Sequence, residues 1–332
     1  MTQHNIKRGV SLYSFQEEYF LRKLSLEDCI ARAAEIGAKG IEIIGEQMVP
    51  GFPKLTDEFV DQWFGWMDKY GTTPICHDMF LDTKRFKHRL LTPEEQLESV
   101  IRDLKFAKRL GCKIVRIIVS ASPDVVEKAI PYAEELDVKM GIEVHSPFHF
   151  DQSWILRHIE VMDRTNTKHY GFIPDFGMFT KRYPRVQRER FLRMGVGQQI
   201  ADYICESFEQ HLFAEYIVGN VREMGATPVE MAMAESTRHQ IFANPKRLLE
   251  HMPRIFHIHA KFYEMQDDYT EYSIPYEQII PLLIEGGYDG YLSSEYEGNR
   301  HIQDAFPVDS VEQVRRQHVM FKRLLGEDVY PT

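Results

Sequence analysis

Cysteine is scarce in this chain. Only Cys29, Cys76, Cys112 and Cys205 occur in 332 residues, and no two of them form a CxxC pair. So few and so widely spaced thiols give neither a disulfide framework nor a thiolate metal site, and reduced, buried cysteines are expected. Long apolar runs are missing too. Nothing approaches the roughly 18 consecutive apolar residues of a membrane-spanning helix, and Met1 to Lys7 is polar, without the apolar stretch of a signal peptide. A cytoplasmic protein with no membrane partner is therefore expected. Positive charge is the third shortage. Forty Lys and Arg against fifty Asp and Glu leave a formal charge of -10, the wrong sign for nucleic acid, whose phosphates need a basic face. A local basic stretch from Lys181 to Arg193 is the exception, better suited to a protein or an acidic small molecule. No linker-like or low-complexity segment divides the chain, so residues 1–332 are expected to form one domain.

What is present is a repeating pattern. Eight short β-branched or apolar runs occur: Gly9-Val-Ser-Leu-Tyr13, Gly40-Ile-Glu-Ile-Ile44, Thr73-Pro-Ile-Cys-His77, Lys113 to Val119, Met140-Gly-Ile-Glu-Val144, Tyr170 to Asp175, Phe256-His-Ile-His-Ala260 and Gly290 to Glu295. Sequence of helical period separates most of them. Ser25-Leu-Glu-Asp28 reads as a helix start and Gly37 as its stop, and Thr92-Pro-Glu-Glu starts another helix that Gly111 ends. Strand, helix, glycine, strand is the signature of parallel βαβ construction. Ser310 to Leu325 would close an outer ring of helices. The first strand runs into Tyr13-Ser-Phe-Gln-Glu17 with no glycine-rich phosphate fingerprint, which argues against an open doubly wound sheet. The expected fold is therefore α/β, a (β/α)8 TIM barrel. The connection between strands six and seven, roughly residues 176–255, is about twice an ordinary βα unit and contains helical sequence from Ala201 to Met224. A long helical insertion at the barrel mouth is expected there.

In such a barrel the chemistry sits where strands end. Strands five to eight end on Glu143 and His145, Asp175, His257 and His259, and Glu295. Three carboxylates crowded in a low-dielectric mouth would repel one another unless a cation joined them. Glu143, Asp175, His259 and Glu295 are thus expected to bind one divalent metal. Oxygen-rich ligation with one imidazole suits Mn2+, Mg2+ or Co2+, with Zn2+ also possible. His257, two residues before His259, shares its face of the strand and is read as a core or supporting histidine. His145, one layer beyond Glu143, is the candidate general base, with a purely hydrogen-bonding role as the alternative. His77, Arg116 and Lys261 are candidate substrate contacts at the ends or inner faces of strands three, four and seven. Tyr13, Phe148, Phe176 and Phe179 would line the mouth with apolar surface.

With those residues the sequence resembles the xylose isomerase-like barrel superfamily of sugar isomerases, epimerases and inosose dehydratases, over nearly its whole length. The likeness is carried by Gly-Ile-Glu143, Pro-Asp175, His-Ile-His259 and Ser-Glu295 after Gly-Tyr-Asp-Gly290. It implies that the four strand-end residues hold one divalent metal, usually manganese. Ser-Leu-Tyr-Ser-Phe-Gln16, Gly-Ile-Glu-Val-His145, the long insertion and His-Ile-His-Ala-Lys261 are most similar to the α subunits of bacterial C-glycoside deglycosidases. That resemblance implies a small β subunit as partner. It also implies cleavage of the carbon–carbon bond between a 3-oxo-glucosyl group and a flavonoid or anthraquinone aglycone.

Three alternatives stand beside it. A ketose isomerase or epimerase would use the same proton chemistry on a free sugar, although Ala-Lys261-Phe-Tyr-Glu-Met265 departs from the segment such epimerases carry after their strand-seven histidine. An endonuclease on the same barrel would need more histidines and a basic face. A non-catalytic scaffold would have no use for the four clustered ligands.

Overall fold

A computed structural model describes residues 4–327. Its centre is a ring of eight parallel strands: β1 (Lys7–Ser11), β2 (Gly40–Ile43), β3 (Thr73–Asp78), β4 (Ile114–Ile117), β5 (Lys139–Val144), β6 (Tyr170–Pro174), β7 (Ile258–Phe262) and β8 (Tyr291–Tyr296). They follow one another in the order β6-β5-β4-β3-β2-β1-β8-β7. Parallel bridges Phe172–Ile255 and Asp175–His259 draw the two ends of that series together. The result is a nearly closed (β/α)8 barrel.

The helices form where their boundaries are chemically marked. Ser25 accepts a hydrogen bond from the Asp28 amide while the Asp28 carboxylate accepts from Ser25, a reciprocal cap on helix Leu26–Glu35. Thr92 and Glu95 do the same for helix Pro93–Arg109, whose first residue is a proline that needs no hydrogen bond there. Between these helices and the outer faces of the strands lies the main apolar core, including Val10, Ile41, Leu104, Val115, Ile142 and Leu292. Inside the ring, Ile75, Ile173 and Tyr291 pack at the end away from the mouth. Gly40 leaves the room that the Tyr291 ring takes. All four cysteines are unpaired, three of them buried, as expected. Among the described residues no helix is long and apolar enough to cross a membrane.

Strand bounds differ from expectation in an instructive way. β1 ends at Ser11 because Leu12–Phe15 turns into a short 3-10 helix. There the Ser14 hydroxyl donates to the Ser294 carbonyl and accepts from the Tyr296 amide. β7 starts two residues later than the apolar run suggested and continues through Lys261. Between β2 and β3 the register slips at Ile41/Glu42, so that Glu42 pairs with Cys76 and Ile43 with His77.

The insertion contains helices Arg185–Arg193, Gln198–Glu209, Ala214–Glu223 and Pro228–Ser236. These helices gather a small core of their own around Ile204, Phe208, Ile217, Val221 and Met233. The basic stretch is largely turned inward on the molecule rather than left free for a ligand. Arg185 pairs with Glu264 at 2.9 Å, Arg188 with Asp202 at 2.7 Å and Arg193 with Asp304 at 2.8 Å. Arg190 donates to the Arg300 carbonyl, and Arg182 lies over the Tyr272 ring. The insertion is thereby fastened to the loops that follow β7 and β8.

Closure between β6 and β7 depends on Gly171, where a β-carbon would overlap the Arg254 carbonyl oxygen and the Phe256 ring. Gly171→Ala is expected to lose about 1–3 kcal/mol of unfolding free energy, the usual range for overpacking. Gly65→Ala, at an open position in helix Asp57–Tyr70, is expected to gain about 0.5–1 kcal/mol from helix propensity. Urea denaturation of the two variants checks both signs.

Candidate metal centre

Parallel register brings the four expected ligands to one place. Asp175 is bridged to His259, and Lys261 is the register partner of Glu295. Glu143, Asp175, His259 and Glu295 are all buried, and one potential ligand atom from each lies within 4.8 Å of the others. His259 Nδ1 is 2.8 Å from Glu143 Oε1 and 3.8 Å from Glu295 Oε1. Two cationic side chains edge the cluster. Lys261 Nζ lies 2.5 Å from Asp175 Oδ2, 3.5 Å from Glu295 Oε2 and 3.6 Å from Glu297 Oε1. The Arg116 guanidinium lies 3.3 Å from Asp78 and 3.4 Å from Glu143, with the Phe80 ring 4.7 Å away on its face.

The electrostatics follow from burial competing with these charges. Burial pushes the Glu295 carboxyl up to about 8, and Asp175 and Glu143 add to the rise that Lys261 and His259 only partly oppose. For Glu143 burial acts in the same direction, but Arg116 and His259 outweigh it and hold its carboxyl well below the usual range. The His259 imidazole is disfavoured as a cation by burial, yet Glu42, Glu295 and Glu143 raise it well above its ordinary value. Lys261 behaves likewise among Asp175, Glu295 and Glu297.

Does this donor set suit a metal ion? Asp175 Oδ2 and Glu295 Oε2 are buried with no donor aligned on them, even though the Lys261 ammonium is near both. Hard carboxylate oxygens without aligned donors, beside one imidazole, are the ligands a divalent cation takes. The residues fit.

Other expected site residues fall into two groups. Arg116 and Lys261 reach the cluster. His145 follows β5 directly, half-buried, with Nδ1 2.8 Å from the Ser146 carbonyl and its ring edge-on to Phe148. His77 does not reach it. Its ring is fully buried between the sheet and helix Pro93–Arg109, where Nε2 is 2.8 Å from Asp103 and the ring packs on Phe106. The register slip between β2 and β3 explains this correction: Cys76 and Asp78 face inward, so His77 faces out. Phe176 and Phe179 are fully buried against each other and so belong to the core rather than to an open wall.

Two further carboxylates, not among the expected site residues, face inward. Glu42 on β2 is completely buried, with Oε2 2.7 Å from His257 Nε2 and Oε1 2.8 Å from His259 Nε2. Asp78 ends β3 beside Arg116, its carboxyl pushed well above the usual range by burial and by Glu42. A single carboxylate inside the apolar run Gly-Ile-Glu-Ile43 was the available signal.

Comparison with known proteins agrees with this architecture. Residues 30–321 match the family described as the xylose isomerase-like TIM barrel. The chain is 33% identical to the 3'-dehydrocarminate deglycosidase alpha subunit of Microbacterium sp., covering 96% of this chain and 95% of that one. It is 30% identical to a C-glycoside deglycosidase alpha subunit of Arthrobacter globiformis, covering 98% and 94%. Among solved structures, L-ribulose 3-epimerase superposes with a TM-score of 0.57 over 97% of this chain and 95% of that one; at 12% identity the likeness is one of fold.

If the four side chains hold a cation together, neutralising one of them should release it. Glu143→Gln and Glu295→Gln are each expected to lose retained metal, read by elemental analysis after desalting, while far-ultraviolet circular dichroism stays that of the folded barrel. Full occupancy in either variant would contradict the ligand assignment.

Proposed function

The chain belongs to the xylose isomerase-like TIM barrel family, and from that premise we propose that it is the large subunit of a metal-dependent carbon–carbon lyase. Its substrate is a 3-oxo-C-glucoside with a flavonoid- or anthraquinone-type aglycone, whose C-glycosidic bond it cleaves. The observation that carries the reading is the buried cluster of Glu143, Asp175, His259 and Glu295, with the half-buried His145 two residues beyond Glu143 where β5 ends. The deglycosidase names of relatives aligned over nearly the full chain support the choice of substrate.

A divalent cation held by the four residues, Mn2+ in first place and Mg2+, Co2+ or Zn2+ otherwise, supplies Lewis acidity toward the sugar oxygens. Arg116 and Lys261 offer N–H donors at the two edges of the cluster and orient the oxidised sugar. The ketone at C3 acidifies the C2 proton, which His145 removes as general base. A positioned base of this kind is worth about 10²- to 10⁴-fold in rate. The C2 electron pair forms the C1–C2 double bond as the C1–aglycone bond breaks. The departing pair goes to the aromatic carbon, which takes up a proton.

A second reading keeps the first half of this chemistry. Proton removal and return at a carbon beside a ketone, without loss of an aglycone, is sugar epimerisation or isomerisation, and the fold, shared with L-ribulose 3-epimerase, is compatible with it.

The curated relatives are named alpha subunits, and a smaller β subunit is the partner proposed here. The insertion is its docking site. With most arginines of the basic stretch engaged within the molecule, what the insertion offers a partner is an exposed apolar group beside helix Ala214–Glu223. Leu212, Phe213 and Tyr216, at and just before helix Ala214–Glu223, are 43%, 74% and 65% exposed.

His145→Ala should keep its metal yet lose at least about a hundredfold in rate. In deuterated water the wild type should exchange the substrate C2 proton and the variant should not. Undiminished exchange in the variant would remove His145 from the role. A chain that turns over a free ketose but no 3-oxo-C-glucoside would select the second reading.

The partner is tested by expressing the chain with and without a candidate small β subunit. A larger complex, whose mass falls back to that of the single chain in Phe213→Asp/Tyr216→Asp, is expected from sedimentation. A chain fully active alone, of the same mass in both preparations, would leave no place for the second subunit.

A further inference from the structure

Beneath the four candidate ligands lies a second buried layer, made by Glu42 of β2, Asp78 of β3 and the paired histidines at β7. His259 spans the two layers. Its Nδ1 faces Glu143 and Glu295, at 2.8 and 3.8 Å. Its Nε2 lies 2.8 Å from Glu42 Oε1, close but off the hydrogen-bond axis, and 3.8 Å from Asp78. Asp78 is engaged by Arg116, which leaves Glu42 as the partner of Nε2. The other oxygen of Glu42 takes His257 Nε2 at 2.7 Å. Glu42 and both imidazoles are at most 1% exposed, so water does not stand in for either contact.

We propose that Glu42 is a positioning residue: it claims the proton on His259 Nε2, and so turns the Nδ1 lone pair toward the cation site. The inference rests on the reading of His259 as a metal ligand. The reason lies in the two tautomers of a neutral imidazole. With the proton on Nδ1, His259 would donate to Glu143 Oε1, 2.8 Å away, and would have no lone pair to offer on that side. With the proton on Nε2, the ring donates to Glu42 and Nδ1 is free to ligate. With Glu143 committed to the cation, the Glu42 carboxylate opposite Nε2 favours the second arrangement, makes the ligating nitrogen more basic and fixes the ring plane. His257 completes the device. Bonded to the second oxygen of Glu42, it holds the carboxylate in place between the two rings, whose planes stand at 88°. Glu42 cannot be exchanged for its amide without consequence. Glutamine presents one acceptor oxygen and one NH2 group, so it can serve only one of two N–H donors. The NH2 group would meet the other ring's Nε2 and push its proton to Nδ1.

The test is Mn2+ affinity of the full chain, titrated by the electron paramagnetic resonance signal of free Mn2+. Glu42→Gln is expected to bind Mn2+ about 10- to 100-fold more weakly than the wild type, as for other lost supporting carboxylates, with circular dichroism unchanged. Glu42→Asp, which keeps two acceptors, should recover part of the loss. A merely structural role would lower the melting temperature and leave the affinity of the folded protein alone. Equal Mn2+ affinity in wild type and Glu42→Gln would overturn the proposal while leaving His259 a ligand. A wild type that binds no Mn2+ would overturn both. Should Glu42→Gln not fold, imidazole 15N shifts of the wild type loaded with diamagnetic Zn2+ decide the matter. Protonated Nε2 on His259 is expected, and protonated Nδ1 overturns the assignment.

Discussion

Five carboxylates converge, buried, inside one end of the barrel: Glu42, Asp78, Glu143, Asp175 and Glu295. Among the described residues only two permanently cationic side chains, Arg116 and Lys261, enter the same space. Like charges in a medium of low dielectric cannot all ionise together, so much of the architecture around them manages that repulsion. Arg116 divides itself between Asp78 and Glu143. Lys261 reaches Asp175, Glu295 and Glu297. His259 lies between the two layers with a carboxylate oxygen 2.8 Å from each of its nitrogens. The charge still in excess makes a divalent cation the natural completion of the site.

Such an arrangement needs rigid support, because a displacement of an ångström would turn an attraction into an uncompensated charge. Each acidic residue sits on or immediately after a strand of the ring rather than on a free loop. The apolar plug of Ile75, Ile173 and Tyr291 fills the far end of the barrel, and the capped helices cover its outside. Above the mouth the insertion is tied by Arg185 and Arg193 to the loops leaving β7 and β8. Those are the two strands that supply His259 and Glu295.

Much of this was legible in the sequence because period and punctuation are local properties. Short apolar or β-branched runs marked all eight strands, and Ser25 and Thr92 marked helix starts that the structure caps as expected. The convergence of Glu143, Asp175, His259 and Glu295 was legible because barrel topology puts strand ends together. What escaped was non-local. The orientation of His77 was decided by a register slip between β2 and β3, and no single strand's sequence records its pairing register. Glu42 was hidden for a related reason. A glutamate in the middle of an apolar strand reads as a solvent-facing residue until the opposite wall of the barrel is known. Arg185 and Arg193 read as part of a binding surface because their partners, Glu264 and Asp304, lie 79 and 111 residues away in sequence but at contact distance in space.

The layered centre also bears on what can distinguish one reaction from another on this scaffold. Epimerisation and elimination, as proposed above, share the loss of a proton beside a ketone. The ligand cluster that would serve that step sits on, or immediately after, the strands of the ring, so it has no means of preferring one outcome. Selectivity must come from whatever decides whether a bulky group at C1 is present and held so that its bond can break. The ring itself offers little for that purpose, since Phe176 and Phe179 are committed to the core. The elements outside it are the ones free to vary: the segment after β5 with His145 and Phe148, the insertion whose end meets it through the Ser146 to His239 hydrogen bond, and the apolar side chains the insertion leaves uncovered. A barrel of this kind can therefore keep its buried electrostatics unchanged while the reaction it hosts is set by the parts stacked above its mouth.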